Sequence, residues 1–413
     1  MKKLLSVVLA LLMLAVMLPV TAMAEVTNYC TIEGITEADG TTLKHFDTLT
    51  AAAKAWRESK GIATSGGNFG SHPAELTIDS ISWVISGSVG TGDGTGVVGT
   101  SGSLLSGGYI YPSIAINSVY IRGVNNAELK NELGSDDYAL TAGGKNVVYD
   151  GITFPEYVSF NFGAENVTFK NCTFKGGLKV MQAINVTVDN CKFEGDGSKD
   201  FAFFAQSVPA NSMKAVQFKN NTVSSFMRGI NVQADSTATV SITGNTITNL
   251  TGKDANGGKY GSAIQLTSGT SFTVTDNTIN TKNVNAFHLY NGLNAAVTIN
   301  NNIITTDYLI WNAANLENIS SSGNTLDIKY PGKELVKVKL DDKSEVVNTI
   351  DSATTINGTV VEHPTTIIIT PAGDTPKTEP EKNPTTGAND MVAAAAALMA
   401  VSALGMAVLS RKK

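Results

Sequence analysis

Apolar and polar positions alternate in short runs along this chain, and the runs recur. Asn166–Phe174 reads NVTFKNCTF, Asn185–Phe193 NVTVDNCKF, Ala215–Val223 AVQFKNNTV, Thr239–Ile247 TVSITGNTI, Ser271–Ile279 SFTVTDNTI, Ala296–Ile304 AVTINNNII and Asn318–Leu326 NISSSGNTL, with Asn146–Phe154 (NVVYDGITF) at the head of the series. In each unit the second and fourth positions are mostly apolar and the third and fifth mostly polar, the period of two of a half-buried strand. The units start 19 to 32 residues apart, which suits a solenoid coil with loops of variable length. Position seven runs Ile152, Cys172, Cys191, Asn221, Asn245, Asn277, Asn302, Asn324. Consecutive asparagines in one register predict an internal ladder, each amide donating to the next coil and accepting from the previous one, so that a buried polar row stays satisfied. Position nine gives an apolar column from Phe154, Phe174 and Phe193 through Val223, Ile247, Ile279 and Ile304 to Leu326. Such columns require like strands stacked in parallel about 4.8 Å apart. The pattern predicts an all-β parallel β-helix, in which no single coil can bury its own apolar face.

A second strand follows the first in each coil: Tyr157–Asn161, Gly177–Met181, Ala202–Gln206, Gly229–Gln233, Ala263–Thr267, Ala286–Tyr290 and Leu309–Ala313. Alternation turns Leu178, Val180, Ile230, Val232, Ile264, Leu266, Phe287 and Leu289 inward. It leaves two outward columns: Ser159, Lys179, Phe204, Asn231, Gln265, His288 and Trp311, beside Asn161, Met181, Gln206, Gln233, Thr267, Tyr290 and Ala313.

Ahead of the repeats, Asp47–Lys60 places Asp47 or Thr48 before an alanine-rich run, an N-cap followed by good helix formers. Leu49, Ala52, Ala53 and Trp56 share one face, so the helix is expected to cover the open end of the first coil. Leu76–Val89 and Asn117–Gly123 alternate as strands, and Gly87–Gly108 reads as a long loop. The order of capping helix, strand, VYIRG coil and NVVYDGITF resembles the entry to pectate-lyase-like right-handed β-helices. The resemblance covers Asp47 to Leu326 and implies a right-handed solenoid.

The two ends carry a different pattern. Met1–Ala24 has Lys2 and Lys3, an apolar run and Ala22-Met23-Ala24, which reads as a secretory signal peptide cleaved between Ala24 and Glu25. Met391–Ser410 is an uncharged, mostly apolar run of membrane-spanning length, followed by Arg411, Lys412 and Lys413. Just before it stand Asn383, Pro384, Thr385, Thr386 and Gly387. Pentapeptide, apolar span and basic tail in this order resemble the cell-wall sorting signal of Gram-positive surface proteins. That resemblance implies a sortase as partner, attack on the Thr386 carbonyl, a cut between Thr386 and Gly387, and transfer to a peptidoglycan amine. The motif starts with Asn383 where the commonest version has leucine; simple membrane tethering is the alternative. The domains expected are 1–24 signal peptide, 25–145 cap and first coils, 146–326 repeat coils, 327–369 further coils or a cap, 370–382 proline-rich spacer and 383–413 sorting signal. The protein is expected outside the cell, anchored to the wall or tethered to the membrane, touching the bilayer only through its C-terminal segment before sorting.

Composition narrows the chemistry. With 30 basic against 36 acidic residues and a net charge of −6, no basic surface for nucleic acid is expected. Cys30, Cys172 and Cys191 cannot make a disulfide framework. The latter two share the ladder position on adjacent coils, where they either fill the core as small apolar groups or form a strained bridge. Metal-ligand spacing is absent, no cofactor is implied, and the Asn-x-Thr triplets arise from the repeat itself. Asp150, Lys170, Asp189 and Lys219 stack at position five with alternating sign, which reads as a salt ladder.

Pectate-lyase-like folds host lyases, glycosidases, esterases and adhesins, so fold alone assigns no reaction. The resemblance implies that an enzyme of this class would work on the outer face of one sheet. No polygalacturonase or pectate-lyase motif set is present, and Asp136-Asp137 and Asp341-Asp342 fall outside the repeat strands. What the second-strand face carries is Phe204, Asn231, Gln233, Gln265, His288, Tyr290 and Trp311. Aromatic faces stack on the C–H faces of sugar rings while amides hydrogen-bond their hydroxyls, so this set is the candidate glycan face. His288 lacks a carboxylate to orient it and reads as a surface polar residue rather than a general base. The sequence supports an adhesin-like protein that binds glycan or a host-surface ligand. A polysaccharide-degrading enzyme, with its site on loops such as Gly195–Asp200 or Gly252–Lys259, and a passive spacer are the alternatives.

Overall fold

The computed structural model describes residues 28–62, 76–93, 114–132, 137–140, 145–160, 164–181, 183–207, 213–252, 261–282, 284–290, 293, 295–306, 308–312, 319–328, 345–346, 354–356 and 359–361. The predicted signal peptide, spacer, sorting signal and apolar span all lie outside these residues. Among the described residues no helix is long and apolar enough to cross a membrane.

Each nine-residue unit folds as two strands and a corner. Positions one to five form a strand, such as Asn166–Lys170, and positions eight and nine a second short one, such as Thr173–Phe174. The corner falls at position six, where Gly151, Asn171, Asn190, Asn220, Gly244, Asp276, Asn301 and Gly323 all have φ between +52° and +71°. Only glycine, asparagine and aspartate visit this left-handed region at little cost, and only these types stand there. Position six is thus a sequence signal for the corner, running beside the position-seven asparagines. In-register parallel pairs join every coil to the next, as in Asn166 to Asn185 and Asn185 to Ala215. With the strands at the two ends of the solenoid they make one 21-stranded sheet, and a nine-stranded sheet forms a further wall.

The ladder forms as the asparagine register predicts. Asn245 Nδ2 donates to Asn277 Oδ1 at 2.9 Å, Asn277 Nδ2 to Asn302 Oδ1 at 3.0 Å, and Asn302 Nδ2 to Asn324 Oδ1 at 3.0 Å. Each amide also fixes backbone: Asn245 Nδ2 donates to Phe218 O (2.9 Å), and Asn245 Oδ1 accepts from Asn221 N–H (2.9 Å). Cys172 and Cys191 stand in the same row as free, buried thiols, so the bridge does not form. The Cys191 thiol lies 3.5 Å from Phe169 O, where an asparagine would place its donor nitrogen. Burial pushes this thiol's pKa strongly up. At position nine the rings of Phe154, Phe174 and Phe193 stack at 5.0 and 4.9 Å, and Val223, Ile247, Ile279 and Ile304 continue the buried column. The charges at position five pair as Lys170–Asp150 (3.2 Å) and Lys219–Asp189 (3.5 Å).

The N-terminal end is closed from two sides. Thr48 caps the helix Leu49–Ser59, its hydroxyl accepting from Ala51 N–H at 3.2 Å, and Leu49, Ala52, Ala53 and Trp56 are buried. Leu49 lines one small apolar cavity with Trp83, Ile85, Ile121, Leu129, Tyr149 and Ile152 at the end of the first coils. Tyr29–Ile32 pairs antiparallel with Trp83–Ser86 and covers that edge, which would otherwise offer unpaired backbone to another chain. The long strand Leu76–Gly90 takes in Gly87–Gly90, so the expected loop begins later than the glycine content implied. At the far end Thr354–Ile356 adds to Thr325–Ile328 and folds back antiparallel on Thr359–Val361.

Candidate functional site

Backbone register alone builds the face that the sequence singled out. In the nine-stranded sheet Ser159 pairs with Lys179, Lys179 with Phe204, Phe204 with Asn231, Asn231 with Gln265, Gln265 with His288 and His288 with Trp311. The first column is therefore assembled as alternation predicts. The second holds from Met181 through Gln206 to Gln233 and then breaks. A bulge between Val232 and Gln233 sets Ser268, not Thr267, opposite Gln233. The seven-residue strand Ser262–Ser268 has one residue more than its neighbour Arg228–Gln233, and Thr267 is the surplus.

That surplus residue has a structural use. Thr267 Oγ1 donates to Asn231 Oδ1 at 3.2 Å and accepts from Gln265 Nε2 at 3.4 Å. It ties two rungs of the first column together, and the middle of the face is closed: Asn231, Gln265 and His288 are 6%, 8% and 3% exposed. His288 is thus a buried residue and not the surface residue expected. Loss of hydration, with a smaller contribution from the Arg228 charge, pushes its pKa down to about 3, so its ring is neutral at physiological pH. Tyr290 is 42% exposed at the rim, its ring 5.8 Å from that of His288. Gln233 is half-buried. The side chain of Trp311 lies outside the described residues; its backbone pairs with His288 and Val346.

Two cations of the face lie over aromatic rings. Lys179 Nζ sits 5.2 Å from the centre of the half-buried Phe204 ring. The Arg228 guanidinium lies 3.9 Å over Phe201 and grips Asp200, with Nε to Oδ1 at 2.6 Å and Nη2 to Oδ2. This clamp was missed in the sequence, where Asp200 read as the end of a loop. Its trace is the step from Asp200-Phe201 in one coil to Arg228 at the start of the next second strand. The face therefore carries Lys179 over Phe204, the Arg228–Asp200 pair at the start of the Asn231 strand, buried amides in the middle and an exposed tyrosine at the rim.

Asp137, expected outside the repeat strands, opens the strand Asp137–Leu140 and pairs with Tyr157, because the nine-stranded sheet begins one coil earlier than the repeat pattern shows. Asp136 and Asp341-Asp342 lie outside the described residues. Among the described residues no three His, Cys, Asp or Glu side chains are grouped to hold a metal ion. In the loop Gly195–Asp200, Asp196 Oδ1 accepts from Ser198 N–H at 2.8 Å and so closes a local turn. Most of Gly252–Lys259, like Ala24, Glu25, Asn383, Pro384, Thr385, Thr386 and Gly387, lies outside the described residues.

Comparison with known proteins agrees with this architecture. Residues 109–261 match the family described as the right handed beta helix region. Parallel sheets, corner and match together give the chain a right-handed β-helix domain. No curated protein and no solved structure matches the chain.

Proposed function

We propose that this is a surface protein of a Gram-positive cell, secreted through its N-terminal signal and joined to peptidoglycan by a sortase acting at Thr386–Gly387. Its β-helix binds glycan on the outer face of the nine-stranded sheet, as an adhesin does. The observation that supports the binding role is the exposed Tyr290 at the rim of a face that also carries the half-buried amides Gln206 and Gln233. An exposed aromatic ring next to side-chain amides is the combination that sugar rings and hydroxyls require. A right-handed β-helix is compatible with binding and with action on polysaccharide, and the choice rests on that face.

Two measurements test the reading. The full chain, displayed on a Gram-positive host, is expected to fractionate with the wall and to retain soluble polysaccharides from a panel of plant, microbial and host origin. Tyr290→Ala combined with Trp311→Ala is expected to abolish that retention; unchanged retention would end the glycan-face reading. Product size is followed in the same mixtures, with and without calcium. New short oligosaccharides would replace binding by a degradative role.

A further inference from the structure

The accessible middle of this face is a strip one residue wide. Met181 pairs with Gln206, Gln206 with Gln233 and Gln233 with Ser268, and all four are half-buried. Tyr290, one residue past the Leu266–Leu289 pair, carries the row into a fifth strand and is exposed. Both flanks are closed. On one side Asn231, Gln265 and His288 are buried, and Thr267 takes up Asn231 Oδ1 and Gln265 Nε2. On the other side Ala234 and Gly269, which follow Gln233 and Ser268, are buried as well. Four strand spacings of about 4.8 Å make the row roughly 19 Å long, and it runs along the solenoid axis.

We infer that this strip binds one extended polysaccharide chain lying along the solenoid axis, and that about four sugar residues fill it. This rests on the glycan-face reading and deepens it. An extended pyranoside chain advances by about one strand spacing per residue, so successive sugars meet successive coils. Gln206 and Gln233 each offer an amide donor and acceptor to sugar hydroxyls. Ser268 sends its hydroxyl proton to Ala234 O and so offers an acceptor. Met181 and Tyr290 supply apolar contact at the two ends of the row. A mono- or disaccharide reaches only part of this row. A broad surface of many chains finds no accessible side chain on the buried flanks.

The test measures the affinity of the full chain for glucose, mannose, galactose and N-acetylglucosamine, for their linear β-1,4-linked oligomers of two to six residues, and for the parent polymers. In at least one series, affinity is expected to rise about thirty-fold or more from disaccharide to tetrasaccharide, and less than about three-fold beyond it. Gln206→Ala, three strand spacings from Tyr290, should weaken tetrasaccharide binding about ten-fold. Glu194→Gln, an exposed site on the other sheet, should leave it unchanged. A monosaccharide or disaccharide that binds as tightly as its tetrasaccharide overturns the inference and leaves the glycan face standing. So does unchanged tetrasaccharide binding in the Gln206→Ala protein, and so does retention of a polymer whose oligomers up to six residues do not bind. Binding of nothing in any series removes the glycan reading and this inference together. The length series needs only the unaltered protein, so it decides the matter even where Gln206→Ala fails to fold.

Discussion

Asn245 shows how much one side chain carries in this fold. Its amide donates to Phe218 O and Asn277 Oδ1 and accepts from the N–H and Nδ2 of Asn221, all inside the core. Asn245→Ala removes these bonds and strands the buried Asn221 N–H, so a loss of about 2–4 kcal/mol is expected in urea unfolding followed by circular dichroism. Cys191 occupies the same place without an amide, and its thiol already points at Phe169 O. Cys191→Asn should extend the ladder by a rung and change stability by less than about 1 kcal/mol, whereas a misplaced buried amide would cost about 1–3 kcal/mol. His288 gives the pH dependence. Its native pKa of about 3 lies below the ordinary 6.5, so between these values the unfolded chain binds a proton that the native one refuses. The stabilising contribution of the neutral ring is complete above pH 6.5 and falls as pH drops toward 3, by up to about 1.4 kcal/mol per pH unit. His288→Gln should flatten the stability curve over that window; a curve as steep as that of the unaltered protein would show that another group is responsible.

At the scale of the element, the corner at position six decides where each coil turns. Gly244 has φ of +69°, and a Cβ there would lie 2.9 Å from Asn220 Oδ1. Gly244→Ala is therefore expected to cost about 1–2 kcal/mol, the penalty of a left-handed L-residue, while Asn220→Gly should cost less. If the two substitutions proved equal, the corner would not be what holds position six. The strands were legible in the sequence because stacking in register turns spatial columns into sequence columns: Phe154, Phe174 and Phe193 are neighbours at one repeat position and neighbours in space. The face of the nine-stranded sheet was legible only in part. Alternation placed Phe204, Asn231, Gln265, His288 and Trp311 in one column, but the surplus Thr267 and the hydrogen bonds it makes to Asn231 and Gln265 depend on a mismatch between two strands. A mismatch of a single residue leaves no periodic trace, and the expected Thr267–Gln233 neighbourhood failed there. Asp137–Leu140 was missed for a related reason: its coil lacks the nine-residue unit that identified the others.

For the whole molecule, stability is a sum over coils and the contacts between neighbouring coils, because each coil touches only the next. An end cap then protects the coils nearest to it and has little influence on distant ones. Trp56 is the largest side chain of the capping helix and is 3% exposed, and beneath the helix lie the apolar residues of the first coils, from Trp83 to Ile152. Trp56→Ala should remove about 3–5 kcal/mol of local packing, as large core truncations do. In hydrogen exchange the loss is expected in the N-terminal strands Leu76–Gly90 and Ile114–Lys130, with Tyr29–Ile32, which pairs only with the first of these, following them. The ladder coils from Ala215 to Thr306 carry their own amide row and stacked core, and their protection should change little. A uniform loss of protection from Tyr29 to Thr306 would mean that the solenoid unfolds as one cooperative unit and that coupling between coils exceeds the stability of any one of them. A loss confined to the first coils would mean that the cap is a local device, and that the face from Lys179 to Tyr290 stays folded when the N-terminal end frays.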